Sequence, residues 1–526
     1  MAYYIDLREH MKALESNNKL VRIKREINKD TELMPLVRWQ FRGLPEEERK
    51  AFLFENVVDA KGRKYGTPVL VASHAASREV YAIGMMCKSS EIMERWAEAQ
   101  LHPIKPKIVE DGPVHEEIHL GDNLLEHGGL EEFPVPISTP GFDNAPYLSC
   151  GNWISKDPET GIRNVGVYRA MIKSKTRTGI HCNIGQHLRT HWEKCKQKGK
   201  PLQAAIVIGA SPAISFTGVA KLPSDVDEYA VAGGIAGEPI ELIKCKTVDI
   251  EVPATSEIVI EGELPTDSLE REAPFGEMSG YMGLGSVSPY FNVTCITHRR
   301  NPIYHAFLSQ FPPSESSLVR GIGSEANLYK FLRYDCSLPV LEVAFQESSG
   351  GRPYCVIKMK KSHPAQAWQV LHGTVTRNPR CKFVIAVDED IDPHDADSVN
   401  WALSWRVLPD RDIRIAPGIQ SPLDPSLCPP GAEEVAYPGI HGASALLIDS
   451  TRKWDYPPVS LPQKQFMERA RKLWEEEGLP ELRPKQPWYG YSLGHWTSEY
   501  EAEAELALKG DHYVTGERIA QERMEH

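Results

Sequence analysis

Four short segments carry most of the residue types that do chemistry. In Arg271-Glu-Ala-Pro-Phe-Gly-Glu277 two glutamates flank a Pro-Phe-Gly turn. Pro274 fixes one dihedral and Gly276 frees another, so Glu272 and Glu277 can be held as a carboxylate pair suited to acid–base work. In Asn164-Val-Gly-Val-Tyr-Arg169, strand alternation puts Asn164, Gly166 and Tyr168 on one face and Val165, Val167 and Arg169 on the other. An arginine among apolar neighbours needs a carboxylate, from protein or substrate, to match its fork. His181-Cys-Asn-Ile-Gly-Gln-His187, with His191, concentrates imidazoles. With a carboxylate and an amide oxygen these make a mixed N/O site for Mn²⁺, Fe²⁺ or Mg²⁺, although the spacing matches no zinc signature. Ser224-Asp-Val-Asp-Glu-Tyr-Ala-Val-Ala-Gly-Gly234 runs carboxylates into small residues past which backbone can approach a ligand. Each segment also has a plainer account: solvated turn glutamates, a structural salt bridge, hydrogen-bonded histidines, acids ahead of a helix or strand. Neither a dinucleotide glycine turn nor a P-loop is present.

These segments need a scaffold. Asp6 caps a predicted helix with Leu7, Met11 and Leu14 on one face, closing near Ser16-Asn-Asn18. The strand Lys19–Lys24, a helix from about Glu32 to Phe41, and strands at Ala51–Val57 and Pro68–Ala72 complete a mixed α/β first domain. From about Phe133 to Ile303 the texture changes to short β-branched runs between turn clusters: Asn164 to Ile172, Ala204 to Gly209, Thr247 to Val252, Glu257 to Glu261 and Phe291 to Thr297. That pattern predicts a β-barrel or sandwich. Beyond Pro312-Pro313 come a helical stretch at Gly323–Leu332, a buried strand ending in acids at Cys381–Asp388, and helices near Val399–Val407, Lys464–Glu477 and Glu499–Lys509.

The chain has 526 residues, 41% apolar and 25% charged, so its apolar surface divides among two or three domains. With 72 acidic against 60 basic residues the net charge is -12, and no Lys/Arg block could track phosphates, which argues against nucleic acid. No basic cluster in the sequence demands the nucleotide of a CoA ester, yet scattered Lys/Arg could still supply a site for one. The ten cysteines form no C-x-x-C pair and read as reduced, buried thiols. Pro201 to Ala220 lacks charge over a membrane-sized length, but prolines, glycines and hydroxyls interrupt it and leave only a strand-length run. No membrane span is expected, and the mixed charge before residue 10 reads unlike a secretory signal, so a cytoplasmic location is expected.

Taken in order, the Asn164-x-Gly-x-x-Arg strand, Gln186-His187, Glu228-Tyr-Ala-x-Ala-Gly and Glu272-x-Pro-Phe-Gly-Glu resemble the UbiD family of reversible decarboxylases that use prenylated FMN. Asp6-Leu-Arg-Glu9, Phe52-Leu-Phe-Glu-Asn-Val57, Gly237-Glu-Pro-Ile-Glu-Leu-Ile-Lys-Cys245, Ile303-Tyr-His305 and Ala445-Leu-Leu-Ile-Asp449 extend the resemblance over nearly the whole chain. It implies an α+β multidomain protein: an N-terminal α/β domain (1–130), a central split β-barrel holding the flavin (131–318), and a C-terminal α/β oligomerisation domain with a helical tail (319–526). It implies that Asn164, His187 and Glu228 hold Mn²⁺ (or Fe²⁺ or Mg²⁺) against the cofactor phosphate, with K⁺ nearby. Arg169 and Gln186 are then added to the cofactor-binding set, and Arg169, Glu272 and Glu277 are the catalytic set. Some relatives carry Asp at the position of Glu277. The implied activity is a non-oxidative carboxy-lyase acting on an aromatic acid or aromatic acyl-CoA. Val37-Arg-Trp-Gln-Phe-Arg42 and the Trp/Tyr-rich C-terminus resemble the phthaloyl-CoA branch. A phenylphosphate-type carboxylase subunit and a non-catalytic flavin-binding homologue are the alternatives. A homo-oligomer, dimer or hexamer, supplied with cofactor by a flavin prenyltransferase is expected.

Overall fold

A computed structural model describes residues 2–521 apart from 184, 284, 419–423, 425, 427–442 and 492. The first helix, Leu7–Ser16, forms where its pattern predicts: Asp6 accepts the Glu9 amide at 2.9 Å, and Leu7, Met11 and Leu14 are buried. Strands Leu20–Asn28 and Ala51–Val58 pair in parallel, and Val69–Val71 runs antiparallel beside the second. The sheet is completed from far along the chain by Tyr304–Ala306, parallel to Val69–Val71. The N-terminal sheet is thereby fastened to the segment that leaves the barrel.

The central unit is a nine-stranded sheet. One end is Arg163–Val167, and near the other end lies Ala170–Ser174, with Tyr147–Leu148 outside it. Only Tyr168 and Arg169 connect those two strands, a reach of about 11 Å at most. The sheet must therefore curl until its ends nearly meet, leaving one seam. The single strand predicted from Asn164 to Ile172 is broken at this seam, for a local reason. The Trp153 indole N–H donates to the Tyr168 carbonyl at 3.1 Å, taking that carbonyl out of the ladder. The Tyr168 ring lies over Gly166 so closely that a Cβ there would sit 2.5 Å from it.

Other expectations shift in detail. The uncharged Pro201–Ala220 stretch supplies strand Leu202–Ile208 and also a buried helix, Pro212–Val219. Thr247 to Val252 is mostly loop, because the buried Glu261 carboxylate accepts the Lys246 and Thr247 amides; only Glu251–Pro253 is strand. Nine cysteines are free thiols, with Cys336 exposed rather than buried, and Cys428 lies outside the described residues.

In the C-terminal unit Tyr354–Met359, Phe383–Val387 and Ala443–Ser450 run parallel, flanked by antiparallel Val340–Phe345 and Ile413–Gly418. The helix Glu315–Lys330 is longer than its predicted core and ends in a π-helical turn, Phe331–Asp335. Its buried Glu315 accepts the amides of Ala72 and His74, so it clamps the N-terminal unit to the rest. Helices Lys464–Glu476, Ser498–Leu508 and His512–Gln521 form the tail and bury no residue. No helix among the described residues is long and apolar enough to cross a membrane.

The acids ending the Phe383–Val387 strand are structural. Asp388 and Asp390 bracket the Arg406 guanidinium at 2.9 and 2.7 Å, and Arg406 is 3% exposed. Removing one member of such a buried set strands the others without solvent. Arg406→Ala should therefore cost about 3–5 kcal/mol in urea unfolding; a loss within error of zero would show that water replaces the guanidinium.

Candidate active site

At the seam Arg169 is held between the strands it separates, and its carbonyl accepts the His181 amide at 3.1 Å. Two carboxylates meet its guanidinium: Glu272 at 3.5 Å from Nη2, and Glu277 in direct contact with Nη1. The Phe275 ring lies beneath at 5.4 Å. Glu272 and Glu277 are not two solvated ends of one tight turn. Glu272 ends strand Glu270–Glu272, paired with Ser286–Ser288, while Glu277 follows strand Phe275–Gly276, paired with Met282–Gly283. These two small ladders turn both carboxylates inward. Gly283 is required by the same packing, since a Cβ there would meet Glu277 Cγ at 3.0 Å.

The two acids are not equivalent. Glu272 is 2% exposed, neither of its oxygens has a hydrogen-bond partner among the described residues, and His181 Nδ1 stands 3.5 Å away. Glu277 faces a cavity of about 680 Å³ that Arg169 and Phe275 also line, with Glu272 behind them. Asp143, which the sequence reading did not single out, stands near Arg169; burial pushes its carboxyl up to about 6 against the pull of backbone amides.

The opposite wall of the cavity is built from element ends. Asn164, His187 and Glu228 all line it, and so does Gln186. Asn164 is on the seam strand; His187 opens helix His187–Gln197, and Glu228 opens helix Glu228–Ala236, capped by Asp227. His187 Nδ1 is 3.0 Å from Asn164 Oδ1, and Glu228 accepts the Val165 amide at 3.0 Å. The sequence-read histidines thus separate: His187 faces Asn164, His181 faces Glu272, and His191 turns to the Ser155 hydroxyl at 2.9 Å. Gln186 spends its Oε1 on the Asn183 amide.

The trio sits in a perturbed electrostatic setting. Burial pushes the Glu228 carboxyl up to about 8. Burial and then Lys221 hold the His187 imidazole below its usual range. Asn164 Nδ2 is buried and has no hydrogen-bond partner of good geometry among the described residues. An amide oxygen, an imidazole and a carboxylate in a dry wall fit a divalent ion of the Mn²⁺ or Mg²⁺ type.

Five cations complete the cavity: Lys221, Arg320, Arg352, Arg377 and Arg380. Among the described residues none has a carboxylate partner, although the chain as a whole is acidic. Burial, then the four arginines, push the Lys221 amine down to about 7, and burial pushes Arg320 down to about 10. Such a concentration calls for anionic ligands. An adjoining cavity of about 260 Å³ shares Lys221, Arg352, Arg377 and Arg380. Sequence reading missed this basin because its members come from distant segments; the short run Arg377-Asn-Pro-Arg380 was its only local trace.

A barrel split at one seam, with an arginine and two carboxylates there and an anion-seeking cavity running to a C-terminal α/β unit, defines a three-domain α+β enzyme. Three family models match in order: the 3-octaprenyl-4-hydroxybenzoate carboxy-lyase N-terminal domain over residues 11–100, the Rift-related domain over 107–312 and the C-terminal domain over 317–449. The chain belongs to this family, the UbiD carboxy-lyases. An uncharacterized protein of Aquifex aeolicus is 31% identical over 507 residues, covering 90% of this chain and 99% of that one. Among solved structures, the evolved dimeric form of the UbiD-class enzyme HmfF from Pelotomaculum thermopropionicum, in complex with prFMN, aligns with a TM-score of 0.76 at 30% identity, covering 89% of this chain and 100% of that one. The vanillic acid decarboxylase of Sedimentibacter hydroxybenzoicus in its closed form aligns with a TM-score of 0.77 at 26% identity, covering 90% and 99%. The apo 3,4-dihydroxybenzoic acid decarboxylase of Enterobacter cloacae aligns at 0.75 and 26%, covering 85% and 94%.

Glu228 gives the site a pH signature. Its folded carboxyl titrates near 8 against an ordinary value of 4.5, so between those values the folded chain binds more protons than the unfolded one. Metal-free protein should lose stability from this group as pH rises through that window. Thermal melts in chelator should show Glu228→Gln gaining on the parent from pH 5 to pH 8; parallel curves would mean that the carboxylate is solvated.

Proposed function

We propose that this chain is a prenylated-FMN-dependent, reversible decarboxylase of an aromatic acid or aromatic acyl-CoA. The observation that carries the reading is the seam: Arg169 and Glu277 meet on the wall of a cavity whose far side is the Asn164, His187 and Glu228 trio. The cavity suits a flavin mononucleotide: it has the volume, cations for a phosphate and, in Asn164, His187 and Glu228, an N/O donor set that would hold a divalent ion. The relatives solved with FMN or prFMN support the same assignment. Asn164, His187 and Glu228 would hold Mn²⁺, Gln186 would fix the turn that presents His187, and K⁺ beside the phosphate rests on the family resemblance alone.

When bound, the prenylated flavin supplies the sink for the electron pair left as CO₂ departs. The chain's own residues do the rest. Arg169 offers the substrate carboxylate its Nε, which has no hydrogen-bond partner among the described residues, and the Nη1 that Glu277 holds in the unliganded site. Glu272, buried behind it, keeps the guanidinium in place and balances its charge. A substrate carboxylate on Arg169 displaces Glu277 and brings a second anion near it, and both changes favour protonation of Glu277. Once the C–C bond breaks and CO₂ leaves, Glu277 delivers that proton to the carbon and returns to Arg169 as carboxylate. Run backwards, the same steps fix CO₂.

The unpaired basin favours, as the finer reading, a substrate that itself carries phosphate. Lys221 and Arg320 suffice beside a metal for the flavin phosphate, which leaves Arg352, Arg377 and Arg380 around the adjoining cavity for the nucleotide of a phthaloyl-CoA-like ester. The tail helices, which bury nothing, are proposed to pack in a homo-oligomer, dimer or hexamer.

Glu277→Gln, loaded with cofactor by co-expression with a flavin prenyltransferase, should keep the flavin spectrum yet lose about 10²–10⁴-fold in turnover and in exchange of labelled bicarbonate. Near-parental exchange would overturn the assigned role. Across phthaloyl-CoA, hydroxybenzoates and cinnamate, Arg377→Ala with Arg380→Ala should raise KM by about tenfold or more for the CoA ester alone. An equal change for every acid would remove the CoA reading.

A further inference from the structure

Outside the cavity, three histidines converge on one glutamate. His119 lies on strand Glu117–Leu120, opposite Ile296 of strand Tyr290–His298, and His298 is the last residue of that partner strand. His127 follows the short helix Asp122–Glu126, and Glu132 ends the turn Gly129–Glu132. That turn is pinned where the Leu130 amide donates to the Lys175 carbonyl at 2.8 Å. The metal-binding atoms of His119, His127 and Glu132 all lie within 4.8 Å of one another. None of the four residues lines the cavity of the active site.

The separations bring imidazole nitrogens to both oxygens of one carboxylate, within reach of a shared ion. Donors about 2.0–2.1 Å from a Zn²⁺ ion are about 3.3–3.4 Å apart along a tetrahedron's edges. His119 Nδ1 is 3.1 Å from Glu132 Oε2, and His298 Nε2 is 3.4 Å from Glu132 Oε1. The His119 and His127 rings stack at 3.8 Å, so the exposed His127 ring has to swing out of the stack for both to meet one ion in their ring planes. Second, His298 is only 6% exposed and already oriented: its Nδ1 donates to the Arg299 carbonyl at 2.8 Å. That bond turns Nε2 toward Glu132 Oε1, where a proton or a cation can bridge the two. A backbone carbonyl on one ring nitrogen is how a metal-binding histidine is commonly held. Three imidazoles and a carboxylate repel one another unless protons or a cation lie among them.

We propose that His119, His127, Glu132 and His298 form a structural Zn²⁺ site that staples the 117–132 segment to the end of barrel strand Tyr290–His298. The donor set of nitrogen and oxygen, without thiolate, suits Zn²⁺ and its spectroscopic substitute Co²⁺. With all four positions filled by protein, the ion has no open site for catalysis, and its contribution is to folding stability. The site is independent of the flavin reading.

Full-length protein stripped with chelator and titrated with Co²⁺ tests it. One equivalent should give the visible absorption of tetrahedral Co²⁺, bleached by Zn²⁺, and Zn²⁺ should raise the thermal midpoint. His127 is exposed, so His127→Ala should fold, lose the band and lose the Zn²⁺-dependent shift. His127→Cys should keep the band and add a thiolate-to-cobalt charge-transfer feature. His187→Ala, which alters the cavity metal, should leave all of these unchanged. No tetrahedral band in the parent, a band undiminished in His127→Ala, or a band abolished only by His187→Ala would each overturn the proposal.

Discussion

The structure turns on a two-residue link. Because Tyr168 and Arg169 alone join the strands at opposite ends of the curled sheet, the barrel cannot close there, and backbone groups that pairing would have satisfied are met otherwise. An arginine at such a seam is close to solvent-free yet not part of a ladder. Its charge is tolerable only with carboxylates in contact, and Glu272 and Glu277 provide them. The two small ladders that aim those glutamates inward, and the glycine at 283 that leaves room for one of them, follow from the need to neutralise Arg169.

Division of labour follows from depth. Glu272 is sealed behind the guanidinium, between it and His181, whereas Glu277 shares the cavity wall and can meet a ligand. Across the cavity the same logic of unmet groups recurs. Glu228 and His187 stand at helix starts, where free amides and short side-chain reach concentrate polarity, and burial raises the Glu228 carboxyl well above its ordinary range.

Between these walls the acidic chain gathers five cations that have no carboxylate partner among the described residues, Lys221 in the barrel unit and Arg320, Arg352, Arg377 and Arg380 beyond it. Holding them together costs electrostatic free energy that an anion would offset, so the join between the central and C-terminal units is built to be completed by a ligand. The clamp at Glu315 and the returning strand Tyr304–Ala306 keep those units in register around it.

The sequence by itself determined whatever depends on near neighbours. The Asp6 cap, the strand at Leu202–Ile208 and the acid-ended strand at Phe383–Val387 are local patterns, and they form as read. Asn164, Gln186, His187, Glu228, Arg169, Glu272 and Glu277 stood out by type and order, though no spacing showed that Asn164 would meet His187 or that Arg169 would meet both glutamates. Only the tertiary structure decided the seam, because alternation along Asn164 to Ile172 is equally consistent with one straight strand; the Trp153 indole that breaks it comes from a neighbouring strand. It also separated His191 from His187, since residues four apart on a helix share a flank yet meet different neighbours. The cation basin and the His119, His127, Glu132 and His298 cluster were illegible for the same reason. Charge and ligand geometry are properties of distance in space, and these residues are brought together only when sheets curl and domains pack.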